Sequence, residues 1–259
     1  MSDITTDTTI ATLLNRRSIR RFLPDPIDDD IVVRLETVAQ HAASSQYLNA
    51  WSAIRVTDAA LQQAIATIAH QDYIAQAPLL YMFIADLHRD AVIAQHEGVD
   101  IEADGFTLNT GYRYAQAQND TVLALHAMET AANSLGLGCV ILGSVLNDAS
   151  RLIELLRLPR YTVPVLGLAI GKPAQSPALK PRMPRSMQFF DNAYPSGDEC
   201  FLEPLDDFDA EVHRYYDLRQ ADRPVAAFSA QVAAAATARE PLHKPIEPIA
   251  RQQGFDLSR

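Results

Sequence analysis

Between residues 173 and 204 proline takes six of 32 positions (173, 177, 181, 184, 195 and 204). Each proline fixes φ and removes a backbone donor, so neither a long helix nor a central strand can run through this stretch. The regular core must be built before it, and residues 172–205 read as an extended arm. Beyond the arm the pattern returns to helix, over 206–220 and over the alanine-rich 225–238. The polar tail after Pro241 reads as loosely attached. The chain is therefore expected to comprise a core over 1–205, arm included, and a helical extension over 206–259.

Upstream of the arm, helix and strand signals mix without regular βαβ spacing, which favours an α+β fold over a doubly wound sheet. Helices are predicted over 8–14, from the acidic run Asp28-Asp29-Asp30 through Ala42, and over 61–68 behind a Thr57-Asp58 cap. Ile31, Leu35, Val38 and Ala42 give the second of these an apolar stripe. A buried helix is predicted over 121–135, stopped by Gly136. Another runs from an Asn147-Asp148 cap through Leu156. Strands are predicted at 54–56, 79–85, 139–142 and 163–170. Residues 86–116 are polar and aperiodic and read as a long surface excursion.

Charge narrows the function. The chain has 22 Lys and Arg against 32 Asp and Glu, a net −10, which argues against nucleic acid and anionic membrane surfaces as partners. The start of the sequence lacks the basic and apolar segments of a signal peptide. The longest apolar run, 77–85, is about half a membrane span. With two cysteines, Cys139 and Cys200, in no framework spacing, a soluble cytoplasmic protein with free thiols is expected.

Several common chemistries are missing. The seven histidines form no HExxH or i, i+4 pair, so no metal site is expected. There is no G-x-S-x-G elbow. The glycine run Gly136-Leu137-Gly138-Cys139-Val140-Ile141-Leu142-Gly143 has Ile141 where a dinucleotide fingerprint needs its third glycine. It has Ser144-Val145 where a P-loop needs Lys and a hydroxyl residue. A phosphate would have to be gripped by side chains.

Two basic clusters could do so. Arg16, Arg17, Arg20 and Arg21 surround Ser18, and Lys180, Arg182 and Arg185 lie among prolines. These seven residues are drawn from only 22 cations in the chain. Guanidinium groups offer a fixed fork of donors matched to phosphate, and a serine hydroxyl adds another. In an extended backbone Lys180 and Arg182 project to the same side. A solvated charge run is the alternative for either cluster alone.

The chain resembles the nitroreductase superfamily of FMN-dependent NAD(P)H oxidoreductases, and within it the major oxygen-insensitive nitroreductase and flavin reductase P group. The resemblance rests on an ordered set: Arg16-Arg17-Ser18-Ile19-Arg20-Arg21-Phe22, Ala43-Ser44-Ser45-Gln46-Tyr47-Leu48-Asn49, Ile54-Arg55-Val56-Thr57-Asp58 and Ala75-Gln76-Ala77. It continues through Ser134-Leu135-Gly136-Leu137-Gly138, Leu142-Gly143-Ser144 with Asn147, Leu155-Leu156-Arg157-Leu158-Pro159, residues 167–173 and Leu179-Lys180-Pro181-Arg182.

The resemblance implies a mixed central sheet flanked by helices, in an intertwined homodimer with a C-terminal extension and FMN at the subunit interface. It implies that Arg16, Ser18, Lys180 and Arg182, with Arg17 beside them, hold the FMN phosphate, and that Arg20 reaches the pyrimidine side of the flavin. Ser44, Ser45, Gln46 and Asn49 would come from the partner subunit. Gln71 would touch the ring, and Ile141, Leu142, Gly143 and Ser144 would face its N5 edge. Tyr47, Arg219 and Arg223 are candidates for substrate or NADPH contact.

The implied activity is hydride transfer from NADPH or NADH, through flavin N5, to nitroaromatics, quinones or free flavin by ping-pong turnover. Such chemistry requires no side-chain nucleophile. A flavin-binding redox-sensing module with little turnover is the second reading. The serine run is shorter here than in the family, with Ala43 before Ser44 and Gln46 after Ser45.

Overall fold

The computed structural model describes residues 8–215, 226–237 and 245–259. The chain forms two compact units, residues 1–175 with 242–259, and residues 176–241. Position 206, expected to open a separate extension, falls inside the second unit.

The first unit opens with α1 (Thr8–Leu14), α2 (Asp29–Gln40), β1 (Trp51–Arg55) and α3 (Ala59–Ala69). It continues with β2 (Leu79–Asp86), α4 (His88–His96), α5 (Gly111–Ser134), β3 (Gly138–Leu142), α6 (Ala149–Leu156) and β4 (Thr162–Gly171). The strands form one sheet in the order β1-β2-β4-β3, with antiparallel pairing throughout. Parallel pairing among the described residues is seen in two isolated bridges, Ser18 with Cys139 and Thr110 with Asp256.

β2 is central and buried along its whole length. Strand periodicity sends alternate side chains to opposite faces. Leu79, Tyr81 and Phe83 therefore join a core with α2 and α5, while Leu80, Met82 and Ile84 join one with α3 and α6. Burial on both faces explains why β2 reads as a continuous apolar run rather than an alternating one.

Helix α5 presents Tyr114, Ala117, Thr121, Leu125, Met128 and Ala132 as a buried stripe at three- and four-residue spacing. It begins at Gly111 rather than at 121, because Tyr114 and Ala117 extend the stripe through a sequence otherwise polar. Its end follows the sequence signal. Gly136 sits at φ 77°. The Leu137 N–H bonds Ala132 O at 3.0 Å and the Gly136 N–H bonds Asn133 O at 3.0 Å, closing the last turn.

The excursion expected over 86–116 is in part a folded element. It holds α4, and Phe106 and Tyr114 are buried in a third core. That core also receives the tail, through Ile249, Ala250 and Phe255. The tail forms α10 (Ile246–Gln252) after the second unit and is attached rather than loose. Gly111 N–H, at the start of α5, donates to Asp256 O and Arg259 O at 2.9 Å each.

The second unit contains α7 (Glu199–Leu202), α8 (Leu205–Arg214) and α9 (Phe228–Ala236). Phe190, Tyr194 and Phe201 cluster with ring centroids 5.3 to 5.9 Å apart. Phe208 of α8 meets Phe228 of α9 at 5.2 Å. Asp209 accepts hydrogen bonds from the Ser229 backbone N–H and hydroxyl, which hold its carboxyl below the usual range. Residues 176–198 carry no strand, as the prolines require.

Among the described residues no helix is long and apolar enough to cross a membrane. Neither cysteine is paired. Burial, then the charge of Glu129, push the Cys139 thiol far up, so it stays protonated.

Candidate functional site

The segment 16–22 is extended and sewn to the sheet at three points. Ile19 N–H donates to Cys139 O at 2.8 Å, Leu23 N–H to Lys172 O at 2.9 Å, and Ala174 N–H to Arg21 O at 2.9 Å. The closest approach is at Gly138, where a Cβ would lie 2.8 Å from three atoms of the Ile19 side chain. Gly171 makes the same allowance for Phe22 and Pro78, with both within 2.8 Å of its Cβ position. Two glycines thus let an arginine-rich segment lie flat on the end of a buried sheet.

The side chains of this segment differ in their anchoring. Arg16 is half-buried, and its Nε donates to Glu129 Oε1 at 2.7 Å. Arg17 Nη1 donates to Asn15 O at 3.0 Å, while Arg17 Nε is buried without a hydrogen-bond partner among the described residues. Ser18 bridges to Cys139. Arg20 is partly exposed.

Residues 44–50 form a strained loop before β1. Gln46, Tyr47 and Asn49 have φ of 52°, 61° and 51°, a region that is costly for residues with a side chain. The loop holds this shape because Asp120, buried on α5, accepts from both ends of it: Ser45 N–H at 2.8 Å and Ala50 N–H at 3.4 Å. Arg113 Nη1 donates to Gln46 Oε1 at 2.7 Å, and Arg89 to Asn49 O. Asn49 Nδ2 donates to Tyr47 O at 2.9 Å, and Ser44 Oγ lies 3.5 Å from Asn49 Oδ1. Tyr47 is left 86% exposed at the tip, a position suited to contact with something outside the chain.

Asp120→Leu removes both acceptors while keeping the branched shape of the side chain. It is expected to cost about 1–3 kcal/mol for the buried Ala50 N–H alone, read as a lower urea midpoint. Faster proteolytic cleavage within 44–50 is expected with it. A variant with unchanged midpoint and cleavage rate would refute the clamp.

The end of β3 and the turn after α3 come together. Asn147 Nδ2 donates to Ile68 O at 3.2 Å and ties the 3-10 turn Ser144–Asp148 to α3. Gln71 follows α3 and accepts from the Tyr73 hydroxyl. Leu142 is buried and Ile141 half-buried. Gly143 is exposed, with no atom within 4 Å of where its Cβ would be. Ser144 Oγ is buried without a partner among the described residues. An open glycine beside an unsatisfied hydroxyl is what a flat polar ligand requires.

Lys180 and Arg182 lie in the second unit. With Met183, Gln188, Phe208 and Gln231 they line a cavity of about 370 Å³. Arg219 and Arg223 lie outside the described residues. In the first unit a cavity of about 570 Å³ opens against β1, lined by Glu36, Asn49, Trp51, Ser52, Tyr81 and Arg89. Its walls are fixed by Tyr81 Oη donating to Glu36 at 2.5 Å and Ser52 Oγ to Asp86 at 2.5 Å.

Sequence reasoning missed Asp120 and Glu129, the two buried acids on which the arginine segment and the 44–50 loop depend. A signal was there: both acids sit among apolar residues on the buried face of α5, where a charge persists only if paired. Among the described residues no three metal-ligating side chains cluster.

A nitroreductase family profile matches residues 13–172, and a nitroreductase C-terminal domain profile matches 180–258. An NADPH-dependent oxidoreductase of Staphylococcus aureus (strain USA300) is 32% identical over 204 residues, 78% of this chain and 80% of the relative. The solved structure of NfrA1 of B. megaterium superposes with a TM-score of 0.88 at 29% identity, covering 96% of this chain and 99% of that one. The NADPH:FMN oxidoreductase of Vibrio harveyi, solved with NAD+, gives 0.83 at 29% identity over 96% and 99%.

Proposed function

The chain belongs to the nitroreductase family, and from that premise we propose that it binds FMN and uses NADPH, or NADH, to reduce nitroaromatics, quinones or free flavin in ping-pong turnover. The observation that carries this reading is the arginine segment fixed on the sheet, together with two buried polar atoms, Arg17 Nε and Ser144 Oγ, that have no hydrogen-bond partner among the described residues. The donor set fits the group: cations for a phosphate and an open glycine for a ring edge.

When bound, FMN supplies the hydride chemistry at its N5. The chain's own residues bind and orient. Arg16 and Ser18 would hold the phosphate through charge-assisted hydrogen bonds; for Lys180 and Arg182, on the second unit, the same role rests on the family resemblance alone. Arg17 supports them. Arg20 would lie toward the pyrimidine side of a bound flavin, where a cation favours added negative charge. Gln71 would help position the ring, and the backbone of 141–144 would face its N5 edge. Ser44, Ser45, Gln46 and Asn49 reach the flavin of the partner subunit, with Tyr47 at the acceptor mouth.

A homodimer is supported by apolar side chains left exposed on three neighbouring helices: Leu13 and Leu14 on α1, Val33 and Val38 on α2, Val122 and Leu123 on α5. A cytoplasmic site of action fits the two unpaired thiols. Sedimentation at micromolar concentration is expected to give twice the 28.5 kDa of one chain. A mass of one chain would remove the interface.

The decisive experiment is a visible spectrum before and after NADPH. A yellow protein that NADPH bleaches is expected, and colour restored by a quinone completes the cycle. A colourless protein that gains no flavin absorbance with excess FMN overturns the reading. A yellow protein bleached by neither NADPH nor NADH favours a flavin-binding sensor instead.

A further inference from the structure

We propose that Glu129 is a positioning residue for the phosphate site: it holds the Arg16 guanidinium by its Nε edge and so turns the terminal nitrogens toward the FMN phosphate. The proposal rests on the reading of Arg16 given above. It starts from an expensive feature of the fold. The Glu129 side chain is 1% exposed, on the buried stripe of α5. A buried carboxylate is tolerated only when paired and hydrogen-bonded, and such a pair often adds no stability over apolar residues of the same size. Stability alone is thus a weak reason for it.

The geometry supplies another reason. Oε1 accepts from Arg16 Nε at 2.7 Å, and Oε2 meets His126 Nδ1 at 3.2 Å. Both carboxylate oxygens are engaged, so the group cannot rotate. Arg16 gives up one donor of its five and keeps the four on its terminal nitrogens. A counter-ion alone would favour the forked contact with two parallel bonds. The single Nε contact fixes the guanidinium plane and leaves the fork available. The backbone is fixed independently, by Ile19 N–H on Cys139 O at 2.8 Å. The Cys139 Sγ in turn lies 4.0 Å from Glu129 O, so helix, strand and arginine segment meet at one place.

Electrostatics and orientation give opposite signs, which makes the proposal testable. Glu129 is an anion near a site for another anion. If only its charge mattered, Glu129→Leu would tighten FMN. If it orients Arg16, the same change weakens FMN.

The experiment titrates apoprotein with FMN, and separately with riboflavin, which lacks the phosphate, by flavin fluorescence quenching. Glu129→Leu is expected to weaken FMN about tenfold, the scale of one charged hydrogen bond, with riboflavin unchanged. In Arg16→Ala the further change Glu129→Leu should add nothing. Glu129→Gln, which keeps an oxygen for Nε, should stay within about threefold of the wild type. Should the leucine variant not fold, Glu129→Asp carries the same expectation as leucine, because it keeps the charge but withdraws the oxygens by one methylene.

FMN affinity unchanged or tightened in Glu129→Leu overturns the proposal. So does an equal loss for FMN and riboflavin, which marks a purely structural role. A glutamine variant as weak as leucine, or a further loss in the double variant, overturns it too. If Arg16→Ala itself leaves the FMN to riboflavin ratio unchanged, the phosphate reading has failed, a result distinct from these.

Discussion

Gly138→Val is expected to purify without flavin and to unfold at clearly lower urea. Its Cβ would stand 2.8 Å from Cβ, Cγ1 and Cγ2 of Ile19. Ile19 is buried, and its own Cβ is fixed by a backbone bonded to Cys139, so rotation of the side chain gives no relief. The arginine segment must lift from β3, and Arg16, Ser18 and Arg20 leave with it. Overpacking of this kind typically costs about 1–3 kcal/mol. Loss of a bound ligand lowers apparent stability further, so unfolding should be compared without FMN as well as with it. Gly143→Ala is the control, because nothing lies within 4 Å of its Cβ position and its φ of −79° is ordinary. It should keep wild-type stability in the apoprotein. A flavin-loaded Gly138→Val protein with wild-type midpoints would show that the close contact does not hold the segment.

Arg182→Ala and Arg16→Ala are each expected to weaken FMN by about 10- to 100-fold, the worth of one hydrogen bond to a charged phosphate. Riboflavin should bind as before in both. The two variants differ in what else they disturb. Arg16 is held by a buried carboxylate, so its loss also strands Glu129, and apoprotein stability should fall. Arg182 is exposed and its removal should leave the fold unchanged. Its share should also shrink more at high ionic strength, since exposed charges are screened. Unchanged FMN affinity in either variant removes that residue from the site.

Much of this was legible in the sequence because it was local. The arginine segment, the glycine that stops α5 and the apolar runs of β2 and β4 each announce themselves within a few residues. Residues 111–120 did not, because Tyr114 and Ala117 are the apolar positions of a face that Arg113, Gln116, Asn119 and Asp120 otherwise disguise. The tail was misread for the same reason: Ile249 and Phe255 find their core beside Phe106, some 150 residues earlier. Asp120 and Glu129 sit on the apolar face of α5, which marks them as acids needing partners, but the partners themselves, at Ser45, Ala50 and Arg16, are not marked. Pairing across 70 to 113 residues leaves no mark in the spacing.

Both of those acids belong to α5, nine residues apart, or about 14 Å along the axis. In the proposed dimer the arginine segment of one chain serves one flavin and its 44–50 loop serves the other. Defects in the two supports therefore segregate. A mixed dimer of a Glu129→Leu chain and an Asp120→Leu chain carries both lesions in one site and none in the other. Two impaired chains would complement each other, with half the sites restored to full FMN affinity, although the lesions lie on the same helix.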